Sequence, residues 1–268
     1  MNNTTIPKII HYCWFGGNPL PELAKKCIAS WKKFLPDYEI KEWNEQNYDV
    51  RKITYTAQAY DAKKYAFVSD YARFDILYQY GGIYFDTDVE VIKDLRPIIE
   101  KGSFIGVEKG TTPLLAAGLG IASPAASSIY REILDSYQNE YFLNEDGSHN
   151  LITVVTRVTD IFKLHGFEEK DCVQHIAETI IYPSDYFCPK SFETGLLNIT
   201  ENTYCIHHYD GSWMPEYIIL QQQMRAKLFR KFGKNIFSKT VFVICCILQR
   251  IKNDGLKSAI AHYIWKKN

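Results

Sequence analysis

Two carboxylates, Asp86 and Asp88, stand two residues apart directly after the apolar run Ile83-Tyr84-Phe85. Acids at this spacing on an extended chain point to one side. In an open α/β sheet, ligands bind beyond the carboxyl ends of the strands. Hard cations such as Mn²⁺ or Mg²⁺ take carboxylate oxygens and neutralise phosphates, so the pair is suited to hold a metal and a diphosphate. A lone Asp-x-Asp is equally the mark of a solvated turn, so its surroundings decide. Upstream lies Tyr65-Ala66-Phe67-Val68-Ser69-Asp70-Tyr71-Ala72-Arg73-Phe74, followed by Gly81-Gly82. Asp70 and Arg73 are i and i+3 on a predicted helix and share a face. On an open surface such a pair contributes about 0–1 kcal/mol. The apolar neighbours Ala66, Phe67, Ala72 and Phe74 predict burial instead, and a buried pair has a task, here the holding of a sugar or ribose hydroxyl.

The elements that position these residues are legible from periodicity. Ile6 to Phe15 reads as a buried strand ending at Gly16-Gly17. Pro21 to Phe34 carries Leu23, Cys27, Ile28, Trp31 and Phe34 at helical spacing, with Pro21 suited to a first turn. Tyr38 to Trp43 alternates as a second strand, which makes the start a βαβ unit and predicts a parallel sheet. Ala57 to Tyr80 reads as one helix stopped by Gly81-Gly82, then Ile83 to Phe85 and Val89 to Ile92 as strands. Further strands are expected at Ser103 to Val107, Leu114 to Ala122, Val173 to Tyr182 and Thr203 to Tyr209. Helices are expected at Ser127 to Asn139, Leu151 to His165 and Pro215 to Phe232.

Composition bounds the rest. The 268 residues are 46% hydrophobic and 23% charged, which is globular rather than disordered. Formal charge is zero, but it is unevenly spread. From Met224 to Asn268 there are eleven Lys and Arg against one acid, Asp254, so this tail carries +10 and residues 1–223 carry −10. Within the tail, Ile236 to Leu248 is strongly apolar, yet shorter than the roughly 20 residues that span a bilayer. A basic, apolar helix of this kind lies in a membrane interface and is drawn to anionic lipid; the alternative is that the run packs on the preceding domain. Interleaving with aliphatics argues against nucleic acid as partner. The seven Cys lack metal-ligand or redox spacing and are read as reduced thiols. The first residues do not read as a signal peptide. The resulting expectation is two parts, residues 1–223 and a basic helical extension over 224–268, in a cytoplasmic protein lying at the inner face of the membrane.

In combination, four blocks resemble glycosyltransferase family 32, the DXD sugar-binding region family, and more distantly the catalytic domain of large glucosylating clostridial toxins. They are Ile6 to Gly17, Pro36-Asp37-Tyr38 with Trp43-Asn44, Ala66 to Val91, and His207-His208-Tyr209-Asp210-Gly211-Ser212-Trp213. The resemblance implies an α/β fold of GT-A type, with a mostly parallel central sheet flanked by helices. It also implies a nucleotide-sugar donor, Mn²⁺ or Mg²⁺, and retention of anomeric configuration. Carried over residue by residue, Trp14 falls where related enzymes stack the nucleobase, and Asp70 and Arg73 where they hold donor hydroxyls. Asp86 falls at the metal-bridged ribose and phosphate position beside Tyr84, and Asp88 at the direct metal ligand, so that the two acids together hold the metal. His207 or His208 is a further metal ligand, and Ser212 and Trp213 bind the phosphates. For Trp14 the plain alternative is a core residue. Between about residues 110 and 200 the resemblance weakens: Leu151 to Thr156 stands where a Thr-Gly-Pro signature is common.

The implied activity is hexosyl transfer from a nucleotide sugar, UDP-linked before GDP-linked, to a glycan or lipid-linked oligosaccharide, as in surface and capsular polysaccharide synthesis. No residue stands out as a covalent nucleophile, which favours front-face attack. Two other readings are an Asp-nucleophile phosphatase, disfavoured because the Asp pair comes after a βαβ unit, and a non-catalytic sugar-binding relative, disfavoured by the intact Asp70, Arg73, Asp86 and Asp88.

Overall fold

The computed structural model describes residues 5–110, 112–211, 216–233 and 235–248. These divide into two compact units, one within Met1–Lys190 and Asn198–Trp213, the other within Ser191–Leu197 and Met214–Asn268.

The first unit opens with β1 (Ile9–Cys13), α1 (Glu22–Phe34) and β2 (Glu39–Trp43). Pro21 precedes α1 in extended backbone, and the helix buries Ala24, Cys27 and Trp31, the apolar face its spacing predicts. Strand β2 lies parallel to β1, Ile9 opposite Glu39 through Cys13 opposite Trp43. Next come α2 (Thr54–Asp61) and α3 (Tyr65–Tyr80). The single helix expected over Ala57 to Tyr80 is therefore broken. Lys63 takes a left-handed φ of 57°, and Lys64 N–H turns back to the Ala59 carbonyl. The apolar period runs on through the break, so periodicity alone does not show it.

After Gly81 follow β3 (Gly82–Tyr84), β4 (Val89–Val91), the short α4 (Arg96–Ile99) and β5 (Ser103–Glu108). The strand expected over Leu114 to Ala122 is instead β6 (Leu114–Leu115), a 3₁₀ turn at Ala117–Leu119 and β7 (Ile121–Ser123). Then come α5 (Ser128–Asp135), α6 (Val154–Leu164), β8 (Gln174–Ile176), β9 (Thr179–Tyr182), α7 (Ser184–Phe187) and β10 (Cys205–His207). The segment Val173 to Tyr182 is likewise two strands, β8 and β9 folded into a hairpin at Ala177, whose φ is 49°.

The main sheet has the order β2-β1-β3-β7-β5-β9-β8, with β6 beside β5. Strands β2, β1, β3, β5 and β9 run one way and β7, β8 and β6 the other. The sheet is thus mostly parallel and flanked by helices, the α/β architecture expected. Alternation along the strands feeds two cores. Tyr84, Ile105 and Ile121 face α2, α3, α5 and α6, while Ile83, Phe85, Phe104 and Ala122 face α1, α4 and α7. A separate antiparallel ribbon joins β4 to β10, with His207 opposite Val89.

In the second unit, α8 (Glu216–Phe232) is followed by a helix over 236–248. Leu220, Phe232, Ile236, Phe237, Val243, Ile244 and Leu248 are exposed there, beside exposed Lys227, Arg230, Lys231 and Lys239. Among the described residues, no helix is long and apolar enough to cross a membrane. Residues 249–268, the remainder of the expected extension, lie outside the described residues.

Candidate functional site

The turn carrying Asp86 and Asp88 is anchored before its side chains act. His11, on β1, is fully buried between two groups. Its Nε2–H donates to the Gly81 carbonyl at 2.8 Å, and Trp43 Nε1–H donates to its Nδ1 at 3.0 Å. Those partners fix the neutral imidazole and its tautomer. Burial, with the Lys41 charge adding to it and the Gly81 bond opposing it, lowers the His11 pKa to about 4. The bond pins the turn that feeds β3. Gly82 follows with φ 107°, and a Cβ there would sit 2.6 Å from the Ile9 carbonyl oxygen. Past the two acids, buried Trp31 donates its indole N–H to the Val89 carbonyl at 2.7 Å.

Asp86 and Asp88 themselves lie in the turn between β3 and β4, not on a continuing strand, and they take different partners. The guanidinium of Arg73, nearly buried on α3, reaches Asp70 at 2.9 Å and Asp86 at 3.3 Å and sits 5.0 Å over the Tyr84 ring. Tyr84 OH donates to Asp86 Oδ1 at 3.0 Å. Asp70 also accepts the backbone N–H of Val154, the first residue of α6. Burial raises the Asp70 carboxyl to about 6, against the pull of the Arg73 charge. Burial opposes the Arg73 charge too, but Asp86, Tyr84 and Asp70 together hold it firmly protonated.

Asp88 faces the β4–β10 ribbon. Its Oδ1 lies 3.2 Å from His207 Nε2, and its Oδ2 accepts the Asp210 N–H at 2.9 Å. The His208 N–H donates to the Asp88 carbonyl, while the His208 ring turns away to Glu90 at 2.8 Å. Of the two histidines, His207 is the one facing Asp88. Burial disfavours the Asp88 charge, but the His207 charge and hydrogen bond bring its pKa down to about 2. Burial likewise works against protonated His207, and Asp88 prevails, raising it.

Among the described residues, no three His, Cys, Asp or Glu side chains form a ready-made metal cluster. The donor chemistry nonetheless fits a partly protein-bound divalent ion. Neighbouring ligands of an octahedral ion with bonds of about 2.1 Å stand about 3 Å apart, which is the Asp88–His207 spacing. Such ions are commonly held by one or two carboxylates plus substrate phosphates. His207 Nδ1 is buried with no partner among the described residues.

Trp14 is half-buried at the end of β1, its indole N–H donating to the Asn18 carbonyl at 2.6 Å. Ser212 and Trp213 lie outside the described residues. Sequence reasoning missed three participants. Asp210 is brought against Asp88, and burial followed by the Asp88 charge raises its carboxyl; its place in the His207 to Trp213 block was the available signal. Val154 had no signal, because its contribution is a backbone N–H. Gly118, whose carbonyl accepts the Asp86 N–H at 3.2 Å, lay hidden inside an expected strand.

Residues 21–105 match the profile of the glycosyltransferase sugar-binding region containing a DXD motif. The match takes in Asp70, Arg73, Tyr84, Asp86 and Asp88 but not Trp14 or the 205–213 segment. Inositol phosphoceramide mannosyltransferase 1 of Schizosaccharomyces pombe is 28% identical over 151 residues, 51% of this chain and 45% of that one. Inositol phosphoceramide mannosyltransferase 3 of the same organism is 32% identical over 111 residues, 38% of this chain and 30% of that one. The chain thus spans less than half the length of these relatives. A solved structure, the PaToxG glycosyltransferase, superposes with a TM-score of 0.46 at 20% identity, over 59% of this chain and 69% of that one.

Proposed function

We propose that this protein is a metal-dependent glycosyltransferase that moves a hexose from a nucleotide sugar to a glycan or lipid-linked acceptor, with retention at the anomeric carbon. The observation that carries the reading is the network of Asp70 and Asp86 around the buried Arg73 guanidinium, ending two residues before an ionised Asp88, inside the segment matched by a sugar-binding-region profile. Residues 1–223 form the catalytic part and 224–268 the extension.

In this reading Asp70 and Arg73 hold donor-sugar hydroxyls, Asp86 and Tyr84 the ribose and phosphate side, and Trp14 stacks on the base. Asp88 and His207 hold Mn²⁺ or Mg²⁺, with Asp86 acting from the network behind them. Bound there, the ion offsets the negative charge that develops on the leaving diphosphate. Ser212 and Trp213 contribute donors to the same phosphates. The acceptor hydroxyl attacks from the face the diphosphate leaves, and the departing phosphate oxygen takes its proton. UDP-linked donors remain the first choice; the relatives' names add mannose, and hence GDP-linked sugars, to the set to be tested.

The test is nucleotide release from UDP- and GDP-linked hexoses, mannose included, with and without Mn²⁺. Metal-dependent release from one of them is expected. No release from any contradicts the reading, and release of phosphate from simple monoesters favours a phosphatase.

We also propose that the extension rests on the cytoplasmic face of a membrane. Exposed apolar and basic residues share the helices of the second unit, and the relatives' names print a lipid acceptor. Flotation with anionic vesicles is expected to exceed flotation with neutral ones. A chain ending near Phe232 that floats equally well contradicts it.

A further inference from the structure

We infer that Gly118 is a positioning residue for Asp86, the absence of a side chain there being what lets this carboxylate reach Arg73. The inference rests on the transferase reading above and adds a residue from outside the matched segment.

The strand geometry puts position 118 against Asp86 twice. Tyr84 pairs with Ile121 across β3 and β7. Continuing that antiparallel path, Asp86 N–H donates to the Gly118 carbonyl at 3.2 Å. On the other side Phe85 N–H donates to the His11 carbonyl at 3.1 Å. The backbone of the Asp86 turn is therefore hung between β1 and the 3₁₀ turn at Ala117–Leu119. The side chain meets the same turn. A Cβ at Gly118 would stand 2.0 Å from Asp86 Oδ2 and 3.6 Å from Arg73 Nη1. Gly118 thus forms the wall against which one carboxylate oxygen rests while the other faces Tyr84 OH and Arg73.

Two facts separate this from an ordinary structural glycine. The backbone at 118 is not in the left-handed region, unlike Gly120 two residues on, whose φ is 131°. Alanine fits the main chain at 118, so conformation does not demand glycine. And what a Cβ would strike is the end of a flexible side chain, not backbone or an aromatic ring. At Gly120 the obstacle would be the Phe85 ring at 2.7 Å, in the core. A methyl group at 118 therefore leaves the fold in place and swings the Asp86 carboxylate, breaking its bonds to Tyr84 and Arg73. Asp88, two residues away, keeps His207 and the Asp210 N–H.

The experiment compares wild type with Gly118→Ala in Mn²⁺-dependent nucleotide release from the active sugar nucleotide, together with thermal unfolding and the Mn²⁺ concentration giving half-maximal rate. The expected result is an unfolding temperature within a few degrees of wild type, kcat/KM for the donor down by about 100-fold, the scale of a roughly 1 Å misplacement at a reacting centre, and an unmoved Mn²⁺ midpoint. Wild-type kcat/KM in the variant overturns the inference. So does failure to fold, which would mean that the space serves the core. So does a Mn²⁺ midpoint shifted in step with the loss of activity, which would place the defect at Asp88. A wild type that releases no nucleotide overturns the transferase reading, and this inference with it.

Discussion

Asp86 and Asp88 are two residues apart in sequence and belong to two different environments. Asp86 belongs to a network whose cation, Arg73, is supplied by helix α3 and is itself nearly buried. Its bonds come from side chains on packed elements, where Asp70 and Asp86 share the one guanidinium of Arg73. Asp88 faces a two-stranded ribbon outside the main sheet, with a histidine and the backbone of residues 208–210 as its partners. Its partner is the His207 ring, whose protonated form Asp88 favours and which would bind a divalent ion only in its neutral form. The difference teaches that an Asp-x-Asp pair need not work as one chelating unit. One acid is built into the scaffold, and the other, in the proposed reading, is the one that faces the divalent ion.

Substitutions can break or sharpen that contrast. Asp88→Asn has the largest expected effect. It removes the anionic ligand, so activity should fall by several orders of magnitude, with EDTA reproducing the loss in wild type and with folding retained. Steady-state nucleotide release together with circular dichroism checks this, and unchanged turnover would remove the distinction. On the scaffold side, Arg73→Met leaves Asp70 and Asp86 without their cation. Removing one partner of a buried ion pair costs about 3–5 kcal/mol, to be read in urea unfolding. Adding Asp70→Asn should restore part of it, since one stranded charge is then gone.

A third prediction concerns the anchor behind the turn. The folded His11 pKa, about 4, lies below the unfolded value of 6.5. The native state therefore favours the neutral ring, and its contribution is fully present above pH 6.5 and lost as pH falls from 6.5 toward 4. The linked loss is about 2–3 kcal/mol by pH 4.5. His11→Gln retains a donor and an acceptor without titrating. Unfolding at pH 7 and 4.5 should show a smaller drop for this variant than for wild type; an equal drop would move the acid sensitivity elsewhere. The smallest effect is at the nucleobase. Trp14→Ala should weaken nucleotide binding by about 1–3 kcal/mol, the scale of base–aromatic stacking, measured by calorimetry with UDP and GDP. Unaltered affinity would make Trp14 a packing residue.

The sheet start and the Asp70–Arg73 face were legible because they rest on local period: Cys27 and Trp31 repeat at helical spacing, and Asp70 and Arg73 are one turn apart. What was not legible depends on contacts far along the chain. The break at Ala62 to Lys64 leaves the apolar pattern intact and is set by a left-handed Lys63. The small residues Ala116 to Gly120 read as strand, yet they form the turn that Asp86 rests on. Adjacent His207 and His208 are indistinguishable by type, and only the pairing of β4 with β10 turns the first to Asp88 and the second to Glu90. Asp210 stood within a recognised block, but its approach to Asp88 follows from that same long-range pairing.

The most direct test of the division between the two acids is Mn²⁺ binding in the presence of UDP or GDP, followed by the loss of the free-ion electron paramagnetic resonance signal. Wild type and Asp86→Asn are predicted to bind the ion with affinities within about tenfold of each other, whereas Asp88→Asn and His207→Ala lose it. Equal loss in Asp86→Asn and Asp88→Asn would contradict the account and return the pair to a single chelating unit.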